Sequence, residues 1–348
     1  MKKSIAIFLT LFVVFALEAK AQKKLPLKLI ATTPLPDLVG DLEFFAPDLK
    51  GNRLFLCAEN SKTVEVFDLL TGKRIHTITG FGEPHDIVYL PDTDQLIVTD
   101  GGDDFGWVER VSAKTYQIVD KIKLPNAVDE AVFDPVNKYF YVESGSEEPS
   151  GKTHLVNIID TRNFKLVGNI TLPGKHSSAM AVDHAGEKLY VNNTGTGEIA
   201  VVDLRTRQVI ARWPLPGAHN LNGLALDEAN HRLFSATRNP PKFWVFDTNT
   251  GQIVTTLTCT AYNDHMIFDA ARKRIYITGT ETASVIEQRD ADHYENIAEV
   301  PTGYRAKTSI FVPELNRIYI ALSGKPMPGT SLTKPGAQPA IKIYQVQP

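Results

Sequence analysis

A triplet of large apolar or aromatic residues returns along the chain at almost constant spacing. Its copies begin at Leu54, Leu96, Tyr139, Leu189, Leu233, Ile275 and Ile318, separated by 42, 43, 50, 44, 42 and 43 residues. A fixed period of this length marks a repeat architecture in which each unit is one supersecondary block. Four pieces recur inside each unit, as in "NGLALD", "HRLFSAT", "KFWVFDTNTG" and "QIVTTLTC" from Asn222 onward. Short alternating runs rich in Val, Ile, Tyr, Phe and Thr read as strands. "DEANHR", "DAARKR" and "DPVNK" read as tight turns, and in "FDLLTG" and "FDTNTG" the aspartate can accept from the amides that follow it. Long helical periodicity is absent. The chain is therefore expected to be all-β: a seven-bladed β-propeller.

The last unit contains only its second and third strands, "NRIYIALSG" and "PAIKIYQVQ", before the chain ends. Near the start, "PLKLIATTPLP" has the character of a fourth strand and precedes a first strand in "GDLEFFAPD". The N-terminal strand is thus expected to close the last blade and leave no open sheet edge there. Residues 22–348 form one propeller domain in this reading. Residues 1–21 have a basic start at Lys2 and Lys3, an apolar run from Ile5 to Leu17 and an Ala19-Lys20-Ala21 end. That is the pattern of a secretory signal peptide, which places the mature chain in the periplasm or outside the cell, with no membrane span after cleavage. Without those residues Lys plus Arg falls from 37 to 34 and Asp plus Glu from 40 to 39, a formal charge of −5. No global field then draws the chain to nucleic acid.

The strands "LYVNN", "LIVTD", "IYITG" and "IYIAL", each followed by text of the "V-x-V-x-D-x-T-G" type, resemble the YVTN-type propeller repeat of the exported YncE-like proteins. The resemblance covers residues 25–348. It implies the propeller fold but little about chemistry, because similar propellers bind single-stranded DNA, hydrolyse lactones, build surface layers or accompany redox domains.

In a propeller the connection entering each inner strand and the connection between the second and third strands share one face. Here those connections are long and irregular, as at 99–107, 143–154 and 323–340, while the other two sets are short and uniform. Binding residues concentrate on variable loops carried by a rigid scaffold, so the long-loop face is the expected binding face. At the entry to the inner strands stand Asp41 or Leu42, His85, Asp129, Ser178, Asn222, Asp264, and Lys307 or Thr308. Asp86, Glu130, His176, His219 and His265 lie close by in sequence. Seven inner strands meet on one axis, so these side chains are expected to ring a channel mouth. The ligand-binding set is His85, Asp129, Asn222, Asp264, His265, Lys307, His176 and His219. His85, Asp129 and Asp264 are the candidate ligands for a divalent metal.

Two functions from different classes follow. One is an exported scaffold, expected to be monomeric, that binds a small ligand, a peptide or a partner protein around the channel. The alternative is a metal-dependent, lactonase-like hydrolase in which the cation polarises a carbonyl and His265 or His219 acts as general base. No certain cofactor follows from the sequence. "DGGDD" at 100–104 departs from a calcium-loop spacing and reads as a solvated acidic hairpin tip. "GTGEIA" at 195–200 joins two strands, with no helix N-terminus to cradle a phosphate. Phe105, Trp107, Tyr262 and Tyr304 with Lys175, Arg238, Lys242 and Arg305 could stack a nucleic-acid strand, but the acidic balance disfavours it. Trp213 and Trp244 read as packing between blades. Cys57 and Cys259 fall in non-adjacent blades and are expected to be free thiols.

Overall fold

The computed structural model describes residues 25–102, 104–125, 127–145, 151–324 and 337–348. The segment read as a signal peptide lies outside the described residues, as do the centres of the 143–154 and 323–340 connections. Seven four-stranded antiparallel sheets form seven blades of a β-propeller, and in six of them the strands pair in chain order. The inner strands, from blade one to blade seven, are Leu42–Asp48, Pro84–Leu90, Ala131–Asp134, Ala179–Val182, His219–Asp227, His265–Asp269 and Ala306–Val312. In blade seven the strand Leu27–Pro34 pairs antiparallel with Ala340–Val346, from Leu27 opposite Val346 to Pro34 opposite Ala340. The chain's start thus supplies the outermost strand of its last blade, as the sequence predicts.

The repeated triplet is the second strand of every blade. Apart from Ser235 in blade five it is apolar or aromatic, because these strands are covered on both faces by the neighbouring blades. Leu54, Leu96, Leu189, Leu233, Ile275 and Ile318 are fully buried. In blade three the equivalent position is Phe140, opposite Ile159, and not Tyr139, which is half-buried at the blade's edge. Inter-blade packing also takes Trp213, which lies 5.7 Å from the Tyr190 ring and 6.0 Å from the Phe246 ring. Cys57 and Cys259 are buried and free, in blades one and five. No helix among the described residues is long and apolar enough to cross a membrane.

Every inner strand breaks its regular ladder at the long-loop face. In blades one, two, five and seven the break is a shift in pairing register, between Leu42 and Phe45, Pro84 and Ile87, Asn222 and Leu224, and Ala306 and Ser309. In blades three and four the inner strand has only four residues, so Asp129 and Ser178 precede it. In blade six Asp264 precedes the strand that starts at His265. Bulges and frayed ends of this kind re-aim side chains that a regular strand would bury between blades.

Candidate functional site

The breaks turn one or two side chains per blade toward the channel axis. Asp41, Glu43, His85, Asp129, His176 and Lys307 line both of two adjoining cavities, of about 220 Å³ and about 690 Å³. Ser178, Asn222, Arg238, Asp264 and Arg305 complete the smaller one. Gly102, Phe105, Glu143 and Lys175 are among those that complete the larger one. Residues as far apart in sequence as Asp41 and Lys307 meet here, as the repeat spacing predicts.

The ring of side chains is a network of charges. On the side of blades five to seven, Lys307 bonds the Glu43 carboxylate and lies 3.9 Å from Asp41 and 3.7 Å from Asp264. Arg305 donates to Asp41 at 2.6 Å, Arg238 bonds Asp264, and Asn222 donates to Asp264 at 3.1 Å. On the other side His85 Nε2 lies 2.6 Å from Asp129 and 3.4 Å from Glu43. His176 stands between Asp129, 3.7 Å from its Nε2, and Glu143, 3.5 Å from its Nδ1. Burial works against a charge on His85, His176 and Lys307, but the surrounding carboxylates outweigh it and hold all three pKa values above their usual range. Asp129, ringed by His85 and His176, is pulled far below the carboxylate range despite its burial. Glu143 is pushed up to about 7 by burial.

Several buried polar atoms of the ring have no hydrogen-bond partner among the described residues, including His85 Nδ1, Glu143 Oε2 and Arg305 Nε. Leaving such an atom unmatched costs about 1–3 kcal/mol, and other unmatched atoms, such as Glu109 Oε2 and Tyr276 Oη, lie away from the mouth.

Two predicted site residues stand elsewhere. His219 is exposed at the start of blade five's inner strand, outside both cavities. His265 sits deeper in the channel, in a separate cavity with Phe44, Asp86, Glu130 and Met180. Its ring meets Phe44 edge-on at 5.6 Å, and burial lowers its pKa to about 4, so it is neutral. The predicted metal set His85, Asp129 and Asp264 also needs correction. Asp264 is taken up by Arg238, Lys307 and Asn222, and His85 serves Asp129 as an ion-pair partner. Among the described residues, donor atoms lie within 4.8 Å of one another in two other groups, Asp129, Glu143 and His176, and Asp41, Glu43 and Glu59, the latter with Lys307 bonded to Glu43. Nor is "DGGDD" a solvated tip throughout: Asp100 is buried and accepts from the amides of Gly82 and Glu83.

Glu43 and Glu143 are the residues that sequence reasoning missed. Glu43 reaches the mouth through the bulge between Leu42 and Phe45, and that extra residue is also why the blade-one register reads ambiguously. Glu143 ends the alternating run of blade three's second strand, where a carboxylate interrupts apolar text.

Against known proteins, no family model matches the chain, so the YVTN-type repeat remains a resemblance. The chain is 24% identical over 209 residues to the protein YncE of Salmonella typhimurium, covering 59% of this chain and 57% of that one. It is 26% identical over 160 residues to YncE of Escherichia coli strain K12, covering 42% and 44%. These matches thus span about half of each relative's length. Among solved structures, a chain of a mitotic checkpoint complex superposes with a TM-score of 0.74 at 12% identity, covering 99% of both chains. Hydrazine synthase of Kuenenia stuttgartiensis gives 0.69 at 16%, covering 82% of this chain and 93% of that one. Such likenesses speak for the fold alone. The chain is a seven-bladed β-propeller with partial sequence similarity to YncE proteins.

Proposed function

We propose that this propeller is an exported binding scaffold that takes a small polar ligand, or a polar group presented by a peptide or partner protein, at the channel mouth. The carrying observation is the cluster of unpartnered buried atoms, His85 Nδ1, Glu143 Oε2 and Arg305 Nε, on the walls of two joined cavities. Donors and acceptors alternate around the ring, so the ligand carries both kinds of group. The smaller cavity, at about 220 Å³, suits a compact polar molecule, and the larger leaves room for an extension. The hydrolase alternative has less support: His219 lies outside the mouth, and His265, a weak base with its pKa lowered to about 4 by burial, is turned toward Phe44 below it.

A thermal-shift screen with compact polar metabolites and short peptides tests the reading. Ligands found with the parent protein should lose their effect on Thr280→Trp, which fills part of the smaller cavity without removing an ion pair. Hits that stabilise Thr280→Trp as strongly as the parent would contradict a binding site at the mouth. The same hits, and a panel of lactones with and without chelator, are then assayed for turnover; sustained hydrolysis would favour the enzyme.

A further inference from the structure

The wall between blades three and four carries a second kind of chemistry. Asp129 lies just ahead of blade three's inner strand and Glu143 near the end of its second strand. The two are fixed face to face by backbone bonds, Asp129 N to Glu143 O at 3.3 Å and Glu143 N to Glu130 O at 2.8 Å. His176 arrives from the connection into blade four. One His176 nitrogen and one oxygen from each carboxylate lie within 4.8 Å of one another, with Asp129 nearest Nε2 and Glu143 nearest Nδ1. A tetrahedral ion with ligand bonds of about 2.1 Å needs about 3.4 Å between donors, so small side-chain movements close the set.

Two further observations separate this trio from an ordinary ion pair. Glu143 is 1% exposed and lines the larger cavity, yet its Oε2 has no hydrogen-bond partner among the described residues. An unmatched, buried carboxylate oxygen on a cavity wall is placed to meet a cation. Asp129 is also held from behind by His85 at 2.6 Å, and His85 by Glu43 at 3.4 Å. Outer partners of this kind orient ligating side chains in metal sites.

We propose that Asp129, Glu143 and His176 bind one divalent transition metal ion, with His85 as a positioning residue. One imidazole and two carboxylates suit zinc, manganese or iron(II); the absence of thiolate disfavours copper(I), and three donors are too few for calcium. Three protein ligands leave coordination positions open, and these face the larger cavity, whose rim includes Lys175 and Lys307. An anionic group on a ligand could then complete the metal's shell. The metal site shares His85 and Glu143 with the polar-ligand reading, which also leans on the opposite wall at Arg305.

The test uses metal-stripped full-length mature protein titrated with zinc chloride and, separately, with manganese chloride. One equivalent should bind. Glu143→Gln and His176→Gln should each weaken binding at least tenfold, while Asp264→Asn should leave it unchanged. If either ligand variant fails to fold, proton NMR of the parent decides: substoichiometric manganese should broaden the His176 resonance before that of His265, which lies beyond Phe44. No stoichiometric uptake of either metal overturns the proposal. So does equal affinity in both ligand variants, or broadening that spares His176. Metal uptake without any hit in the ligand screen would sink the polar-ligand reading alone, and hits without uptake would sink this one alone.

Discussion

Both faces of the propeller carry carboxylates at repeat positions, and they are used in opposite ways. On the short-turn face Asp48, Asp68, Asp134, Asp203, Asp247 and Asp269 each accept from backbone amides two to four residues further on. Each takes its first partner from its own turn, and Asp68 and Asp247 add Asn52 and Arg232 of the same blade. At the mouth Asp41 meets Arg305 from 264 residues away, and Glu43 meets Lys307 over the same separation. Here the partners come from other blades, and some buried atoms find none. A carboxylate satisfied within its own blade builds the scaffold, whereas one that depends on distant blades belongs to a surface assembled for recognition.

If the mouth exists only because the ring closes, breaking the ring should dissolve it while each turn survives locally. Deleting the strand Leu27–Pro34 strips blade seven of its outermost strand and exposes an edge. The melting temperature should fall by about 10 °C or more, or the protein should aggregate. Calorimetry showing a melt like the parent's would break the closure account.

The next largest effect is expected at the mouth. Lys307→Met leaves the Asp41, Glu43 and Asp264 carboxylates facing one another without their shared cation. Removing one partner of a buried charge network costs about 3 kcal/mol or more, read as a shift of the urea midpoint.

Proton linkage should also differ between the faces. Asp86, buried in the channel, has its pKa raised to about 7 by desolvation, although amide bonds from Ile87 and Ala131 work against that. The folded state then holds a proton that the unfolded chain has lost. Stability from this group falls as pH rises from about 4 to about 7 and is level above that. On the turn face the Asp68 pKa is lowered by bonds from Thr71. Its contribution is present above the unfolded pKa, near 4, and is lost as pH falls further. Urea unfolding at stepped pH should show that Asp86→Asn flattens the decline between pH 4 and 7, and that Asp68→Asn does not.

The smallest effect belongs to a single turn. Asp247→Ala removes carboxylate bonds to the Asn249 and Thr250 amides and to Arg232 of the same blade and should cost about 1–2 kcal/mol. Metal uptake and every ligand found at the mouth should be unaffected. A change in either would erase the distinction between the faces.

What could be read from the sequence follows the same division. The turn aspartates, the second-strand triplets and the closing strand are legible because their signals lie within a few residues of each other. Convergence of His85, Asp129, Asn222, Asp264 and Lys307 was legible because the repeat maps position onto a ring. The errors arise where a bulge or a loop changes the register. Tyr139 stood in for Phe140, Glu43 stayed hidden behind Leu42, and His265 was placed at the mouth when it lies one layer below. Which carboxylate meets which cation depends on side chains from different blades, and no local pattern records that.

The central claim, that the mouth is the binding face, is tested most directly by soaking crystals with a library of small polar fragments. Fragments should gather between Asp41, Lys307 and Asp264 and along the Asp129–Glu143–His176 wall. The rival site is an apolar pocket on the short-turn face lined by Leu90, Pro91, Phe133 and Pro135, of about 490 Å³. Occupancy confined to that pocket, with the mouth empty in every soak, would contradict the account.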